Sequence, residues 1–316
     1  MADSYFFLVA VLQHACFSFF FIFYTVKIAG FTFIRNALLY DYPVVEAIRS
    51  ILPLCDYLVV AVGKSDDETL ELVRGVGDPK IHILETVWDD SLREGGRVLA
   101  VETDKAFQAI PAEYDWCFYI QADECVHEAD FPAIRAGMEQ YLDDPQTEGL
   151  LFQYRHFYGS YDFIGDSRRW YRREVRIVRN NKDIRSYRDA QGFRMASGRK
   201  LRVRLLPAHI HHYGWVKNPA AQQRKQKNFN RLWHSDEVVK ERVGQAEIYA
   251  YDGSEPLMRY TGSHPAVMLP RIQAMNWQFS GDPSHAHRPW KDRLSSWLER
   301  STGWRPGEYR NYVLLT

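Results

Sequence analysis

The chain has no surplus of charge: 40 Lys and Arg balance 40 Asp and Glu across 316 residues. That balance argues against a dedicated nucleic-acid binder, which needs a basic surface to meet phosphates. Cysteine is scarce, and Cys16, Cys55, Cys117 and Cys125 form no CxxC pair. No disulfide framework is implied, and a reducing, cytoplasmic setting fits. GxGxxG, P-loop lysine, GxSxG and HExxH motifs are all missing. Dinucleotide-binding, kinase-like, serine-hydrolase and zincin readings lose ground with them. There is no internal repeat and no low-complexity tract.

Long apolar runs are also rare, with one exception. Residues 5–26, YFFLVAVLQHACFSFFFIFYTV, are nearly all apolar and about long enough to span a bilayer. No basic residue precedes them and Asp3 does, which disfavours a secretory signal. A membrane anchor is one reading, with Lys27 and Arg35 keeping the following domain on the cytoplasmic face. A second is that the segment is a start-site artefact and translation begins near Val26. A core helix is the third.

From Lys27 onward, strand and helix patterns alternate. KIAGFTFI, YLVVAVG (57–63), KIHILETV (80–87) and DWCFYI have strand character. PVVEAIRSIL, the segment opened by SDDET, and GRVLAVETDKAFQAI (96–110) have helix character. This rhythm predicts an α/β fold with a mostly parallel, Rossmann-like sheet flanked by helices. Ligands of such sheets bind beyond the carboxyl ends of the strands. The texture changes near residue 149. GLLFQYRHFY, REVRIVRN and KLRVRLLPAHIHHYGW alternate like half-exposed strands, and 217–245 is polar and helix-like. The expected division is therefore 1–26, 27–148 and 149–316, the last an elaborated half with an irregular extension.

Four features could carry chemistry. In YIQADECVHE (119–128) a buried strand runs straight into Asp123 and Glu124. Adjacent carboxylates are either solvated or neutralised by a cation such as Mg²⁺ or Mn²⁺. HIHHYGW (209–215) places His209 and His211 on one strand face and His212 on the other, so one imidazole could join Asp123 on Mn²⁺. SDDET (65–69) is better explained as a capping box between Ser65 and Glu68 than as a ligand site. Residues 168–204 hold 14 Lys and Arg against three acids, with aromatics interleaved. Such a stretch suits a diphosphate, a charged sugar or an RNA backbone, or else is a solvated strand face.

GFTFIRNA, VGKSDDET, GGRVLAVETDKA, YIQADECVHE and HYGWV occur in an order that resembles the GT-A nucleotide-sugar glycosyltransferases, family-2-like, in a bacterial branch. The resemblance covers residues 27 to about 240. It implies a hexosyltransferase whose first half binds a nucleoside-diphosphate sugar and whose second half receives a glycan or lipid-linked acceptor. It also implies Mn²⁺ or Mg²⁺ on the diphosphate, and a role in cell-surface polysaccharide synthesis at or near the inner membrane face. Asp123 matches the second carboxylate of the family's DxD-type motif, and Gln121 stands where the first would be. His212 sits where some members supply a late metal-binding histidine. Arg35 and Asn36 would border the nucleotide, and Arg97 and Lys105 would contact the donor. The base of an inverting transfer would be Asp189 in SYRDAQGF, with Glu174 as the second candidate. Two other functions stay open. One is an inactive GT-A-like glycan or nucleotide binder. The other is a polyanion or RNA binder built on 168–204.

Overall fold

The computed structural model describes residues 25–92, 94–233, 246–251, 253, 255–279, 295, 297–299, 301–303 and 305–316. The apolar segment up to residue 24 lies outside them, and so do the readings placed on it. Among the described residues no helix is long and apolar enough to cross a membrane.

The first half alternates as its hydrophobic pattern predicts. Its elements are β1 (Ile28–Ile34), α1 (Val44–Ile51), β2 (Tyr57–Gly63), α2 (Thr69–Arg74), β3 (Ile81–Thr86), α3 (Arg97–Gln108) and β4 (Trp116–Tyr119). The order β3-β2-β1-β4 is parallel throughout. Continuous apolar runs form these strands because helices cover both sheet faces. On one face Ile48 of α1 joins Val60 and Phe118. On the other, Phe107 of α3 packs 5.3 Å from Phe31. Each such ring, fully buried, contributes about 1.5–3 kcal/mol.

Beyond β4 the chain continues through β5 (Glu124–Val126), α4 (Phe131–Gln140), β6 (Gly149–Tyr158), β7 (Phe163–Gly165) and β8 (Arg173–Arg179). After β9 (Ile184–Tyr187) and β10 (Gly192–Met195) come β11 (Leu201–Trp215) and α5 (Pro219–Arg231). Here the expectation of a mostly parallel sheet fails. β8 is antiparallel to both β4 and β6, β5 is antiparallel to β11, and among the described residues of this half only the β11 pairings with β6 and with Tyr312–Leu314 are parallel. A parallel neighbour needs a crossover of a dozen or more residues, usually helical. Between β6 and β8 the chain offers the short β7 instead. The half-exposed reading of this region also needs correction for β8. Arg176 is 0% exposed and Glu174 5%, so its alternation of charge hides buried ionic contacts rather than a wet face.

Candidate active site

The carboxyl ends of β1, β2 and β4 open into a cavity of about 1240 Å³. Arg35, Asn36, Gln121, Asp123, Glu174, Asp189 and His212 all line it. Residues from five separate stretches of sequence thus meet at one place.

The floor is laced by two strand-exit loops. Asn36 follows β1 in the left-handed region, φ 57°, which asparagine tolerates. Its Oδ1 accepts from Asp66 N at 2.7 Å, and its Nδ2 donates to Asp66 Oδ2 at 3.1 Å. Its own backbone N donates to Ser65 Oγ at 3.0 Å. Ser65 is therefore used across the loops, and the expected capping box does not form. Instead α2 begins after Glu68 with no side-chain cap, and Asp67 accepts from Thr69 N at 3.0 Å and Leu39 N at 2.7 Å. Arg35 donates to Asp90 at 3.0 Å and lies 5.5 Å from the centre of the Trp88 ring.

The two carboxylates after β4 have opposite fates. Glu124 is 0% exposed and saturated. It accepts from Arg176 Nε at 2.9 Å and Arg176 Nη2 at 2.8 Å, from Tyr154 OH at 2.8 Å and from Gln121 N at 3.1 Å. Asp123 faces the cavity. Its Oδ2 accepts from Lys225 Nζ at 2.9 Å, and its Oδ1 lies 3.8 Å from His212 Nε2. Burial works against its charge, but Lys225, then His212 and Lys217, outweigh burial and hold the carboxyl well below the usual range. Gly214 supplies clearance here. A Cβ on it would stand 2.6 Å from His212 Nε2 and 2.8 Å from Asp123 Oδ2. Its absence leaves space that both groups face.

Among the described residues no group of three or more His, Cys, Asp and Glu is placed to hold a metal. Asp123 and His212 are a two-residue donor set, one carboxylate oxygen and one imidazole nitrogen. That set suits Mn²⁺ better than Mg²⁺, and such ions usually complete their shells with substrate phosphates and water. Of the other histidines in the strand, His209 Nδ1 lies 3.8 Å from Asp130, and His211 Nε2 contacts Arg155 and Tyr260 at 3.1 Å each. Neither lines the cavity.

The two candidate bases also line the cavity. Glu174 Oε2 is buried with no hydrogen-bond partner, and burial pushes its carboxyl up to about 8. Asp189 sits between Arg188 and Ala190, both at positive φ, and burial raises its carboxyl too. Gln121 donates from Nε2 to Ala190 O at 3.1 Å, tying the β4 exit to this loop.

Arg97 and Lys105 are not brought in. Val98, Glu102 and Ala106 form the inner stripe of α3. Arg97 and Lys105 lie off that stripe by the helix's own rotation. Lys105 pairs with Glu102 at 2.6 Å, and Arg97 lines a separate depression with Asp104 and Arg188.

Lys225, on α5, is the group sequence reasoning missed. Residues 217–245 read simply as a polar helix, and nothing in the spacing set Lys225 apart. Several arginines of the basic stretch 168–204 are paired with distant acids. Arg172 pairs with Glu299 and Glu308, Arg169 with Glu255, Arg199 and Arg202 with Glu148, and Arg204 with Asp144. Arg168, Arg169, Arg172 and Arg173 line the cavity, together with Glu174 and Glu308.

No family model and no curated protein matches the chain. Among solved structures, it is similar to S. aureus TarS 1-349, at 11% identity and a TM-score of 0.36, covering 70% of this chain and 67% of that one. Glucosyl-3-phosphoglycerate synthase from Mycobacterium tuberculosis, in complex with Mn²⁺, UDP and phosphoglyceric acid, is 18% identical with a TM-score of 0.27. That match covers 42% of this chain and 43% of the synthase, so the chain spans under half of that protein's length. The 4-diphosphocytidyl-2C-methyl-D-erythritol synthase of Anaerococcus prevotii is 6% identical, with a TM-score of 0.30 over 49% of this chain and 71% of that one. Likenesses this slight do not assign a family.

Proposed function

We propose that the protein is a glycosyltransferase that moves a sugar from a nucleoside-diphosphate donor to a hydroxyl of a glycan or lipid-linked acceptor. The observation that carries this reading is the pairing of Asp123 with His212 around the space left by Gly214, at the carboxyl ends of parallel strands, in a cavity that Arg168, Arg169, Arg172 and Arg173 also line. A nucleoside diphosphate needs both a cation and arginine forks to hold its charge. Asp123 and His212 would hold Mn²⁺, which would neutralise the leaving diphosphate.

The chain's own groups then divide the remaining work. Arg35, Asn36 and Asp66 border the end of the cavity suited to the nucleoside. Gln121 braces the loop that carries Asp189. In an inverting transfer, a carboxylate takes the acceptor hydroxyl's proton as the new C1–O bond forms and the C1–O bond to phosphate breaks. A base must be ionised before it acts. With its carboxyl pushed up to about 8, Glu174 keeps its proton at pH 7 and is poorly suited to take another. We take Asp189, which also lines the cavity, as the base. Cytoplasmic action on a surface-glycan precursor, with residues 5–26 as a membrane tether, belongs to the same proposal.

Lys225 supports a second reading. Its ammonium already lies on Asp123, so a nucleotide or glycan could be held without metal and without turnover. One experiment separates the two. The full chain is screened by thermal shift against UDP, GDP, CDP and dTDP, with and without Mn²⁺, beside Asp123→Ala. Stabilisation by one nucleotide that requires Mn²⁺ and vanishes in the variant is the expected result. Metal-independent stabilisation favours the second reading, and no shift with any nucleotide removes both.

A further inference from the structure

The β9–β10 hairpin gathers more positive than negative charge. Arg194 on β10 is the register partner of Arg185 on β9, and it also bridges to Lys200. Residues directly opposite on neighbouring strands share a face, and like charges so placed repel. Arg185 is compensated, since it donates to the Ile184 carbonyl at 2.8 Å and has Asp104 within electrostatic reach. Arg194 and Lys200 have no such acid, and Arg188 stands beside them at the hairpin turn. Among the described residues none of these three forms an ion pair. Glu148 is taken by Arg199 and Arg202, and Glu308 by Arg172 and Arg310. The carboxylate that acts on Arg188 is its chain neighbour, Asp189.

Two tyrosines hold these cations instead. The Arg194 guanidinium lies 3.8 Å from the centre of the Tyr187 ring, and donates to Tyr309 OH at 3.1 Å and Asn311 Oδ1 at 2.7 Å. Arg188 stands 5.2 Å from the Tyr187 ring and 5.7 Å from that of Tyr309, with Lys200 5.8 Å from Tyr309. A ring face attracts a cation but does not cancel its charge. Arg188 is exposed and Tyr309 is 60% exposed, so the positive charge is accessible. Its location is specific too. Tyr309 and Asp189 line the large cavity, while Arg188 lines the neighbouring depression, which puts this surface on the rim between them. The rim is braced by Asp104 Oδ1, which accepts from Ser186 N at 2.7 Å, and by the Gln121 bond to Ala190.

We propose that Arg188, Arg194 and Lys200, set around Tyr187 and Tyr309, dock an acceptor glycan that carries anionic groups along its chain, with Arg188 holding one such group beside the hydroxyl that faces Asp189. The inference rests on the transferase reading of the cavity and adds the charge of the acceptor to it. Arginine forks bind carboxylate and phosphate alike, so either anion fits. Arg188 and Asp189 are consecutive, with Cα atoms about 3.8 Å apart, so an anion held by the first keeps the adjoining sugar close to the second. The donor diphosphate is a poorer occupant, because none of the three cations lines the cavity. Nucleic acid is poorer as well. The chain carries no net charge, and Arg194 already covers a face of Tyr187 on which a base would stack.

The test titrates the full chain with polygalacturonate, a carboxylate glycan, and with polyphosphate, beside neutral dextran and a single-stranded RNA. Wild type should bind the first two and not dextran. The triple variant Arg188→Gln, Arg194→Gln, Lys200→Gln should weaken that binding about tenfold or more. It should also lower the slope of log affinity against log salt by about one per cation removed. Unaltered polyanion affinity in the folded variant overturns the inference, and so does equal binding of dextran or tighter binding of RNA. Should the triple variant fail to fold, Arg188→Gln alone must lower the slope by about one, and an unchanged slope overturns the inference. Saturating nucleotide should leave polygalacturonate bound to wild type, whereas displacement would put the polymer in the donor site and overturn the inference as well. A wild type that no nucleotide stabilises removes the transferase reading instead, while the polyanion titration still decides whether this surface binds anions.

Discussion

Glu124 and Arg176 form a two-pronged ion pair with both side chains at zero exposure, 52 residues apart in sequence. The pair joins the start of β5 to the middle of β8 and anchors the loop that presents Asp123. Arg176 is held further by the carbonyls of Val175 and Gln191 and lies 5.2 Å from the Tyr119 ring centre. Breaking one partner leaves an uncompensated buried charge, which typically costs about 3–5 kcal/mol. Glu124→Gln and Arg176→Met should each lose that much in urea unfolding, and the double variant should lose less than the sum. Additive losses would mean the two groups act independently.

Gly214→Ala tests the space beside the two candidate ligands. The added methyl would crowd His212 Nε2 and Asp123 Oδ2. Far-UV circular dichroism should be unchanged, while Mn²⁺-dependent nucleotide stabilisation falls at least about tenfold in apparent affinity. Full retention of binding would place the cation elsewhere.

Glu174 should make stability depend on pH. Burial raises its carboxyl from 4.5 to about 8 in the folded chain, so the folded state keeps a proton that the unfolded chain releases. The stability linked to that proton is complete below pH 4.5 and is lost as pH rises toward 8. Urea midpoints between about pH 5 and pH 8 should therefore decline, and Glu174→Gln should flatten the decline. An equally steep decline in the variant would show that another group is responsible.

Lys225→Met separates the two roles open to that lysine. With the ammonium gone, Asp123 retains its charge with one fewer cation beside it. Mn²⁺ affinity should rise roughly three- to tenfold, since the competing Coulomb attraction is removed. Weaker Mn²⁺ binding in a folded variant would mean that Lys225 supports the site instead of competing for it.

The parallel half of the fold was legible in the sequence. Runs such as YLVVAVG can be buried on both sides only within a helix-covered sheet, and that pattern is local. The placement of Asp123 at a strand end was legible for the same reason. Local rules misled where residues could choose a distant partner. Ser65 and Glu68 have capping spacing, yet Ser65 serves Asn36 on another loop. The arginines of 168–204 look like a clamp, yet acids as far away as Glu308 neutralise several of them.

What the sequence alone determined is the order of elements and the kinds of side chain available at each strand end, because periodicity and propensity act over a few residues. The tertiary structure decided which of those side chains meet. The parallel register of β6 on β11 sets His156 beside His212, and α5 folds back across 102 residues to lay Lys225 on Asp123. Strand register and helix docking come from burial summed over the whole sheet, so no short stretch of sequence encodes them.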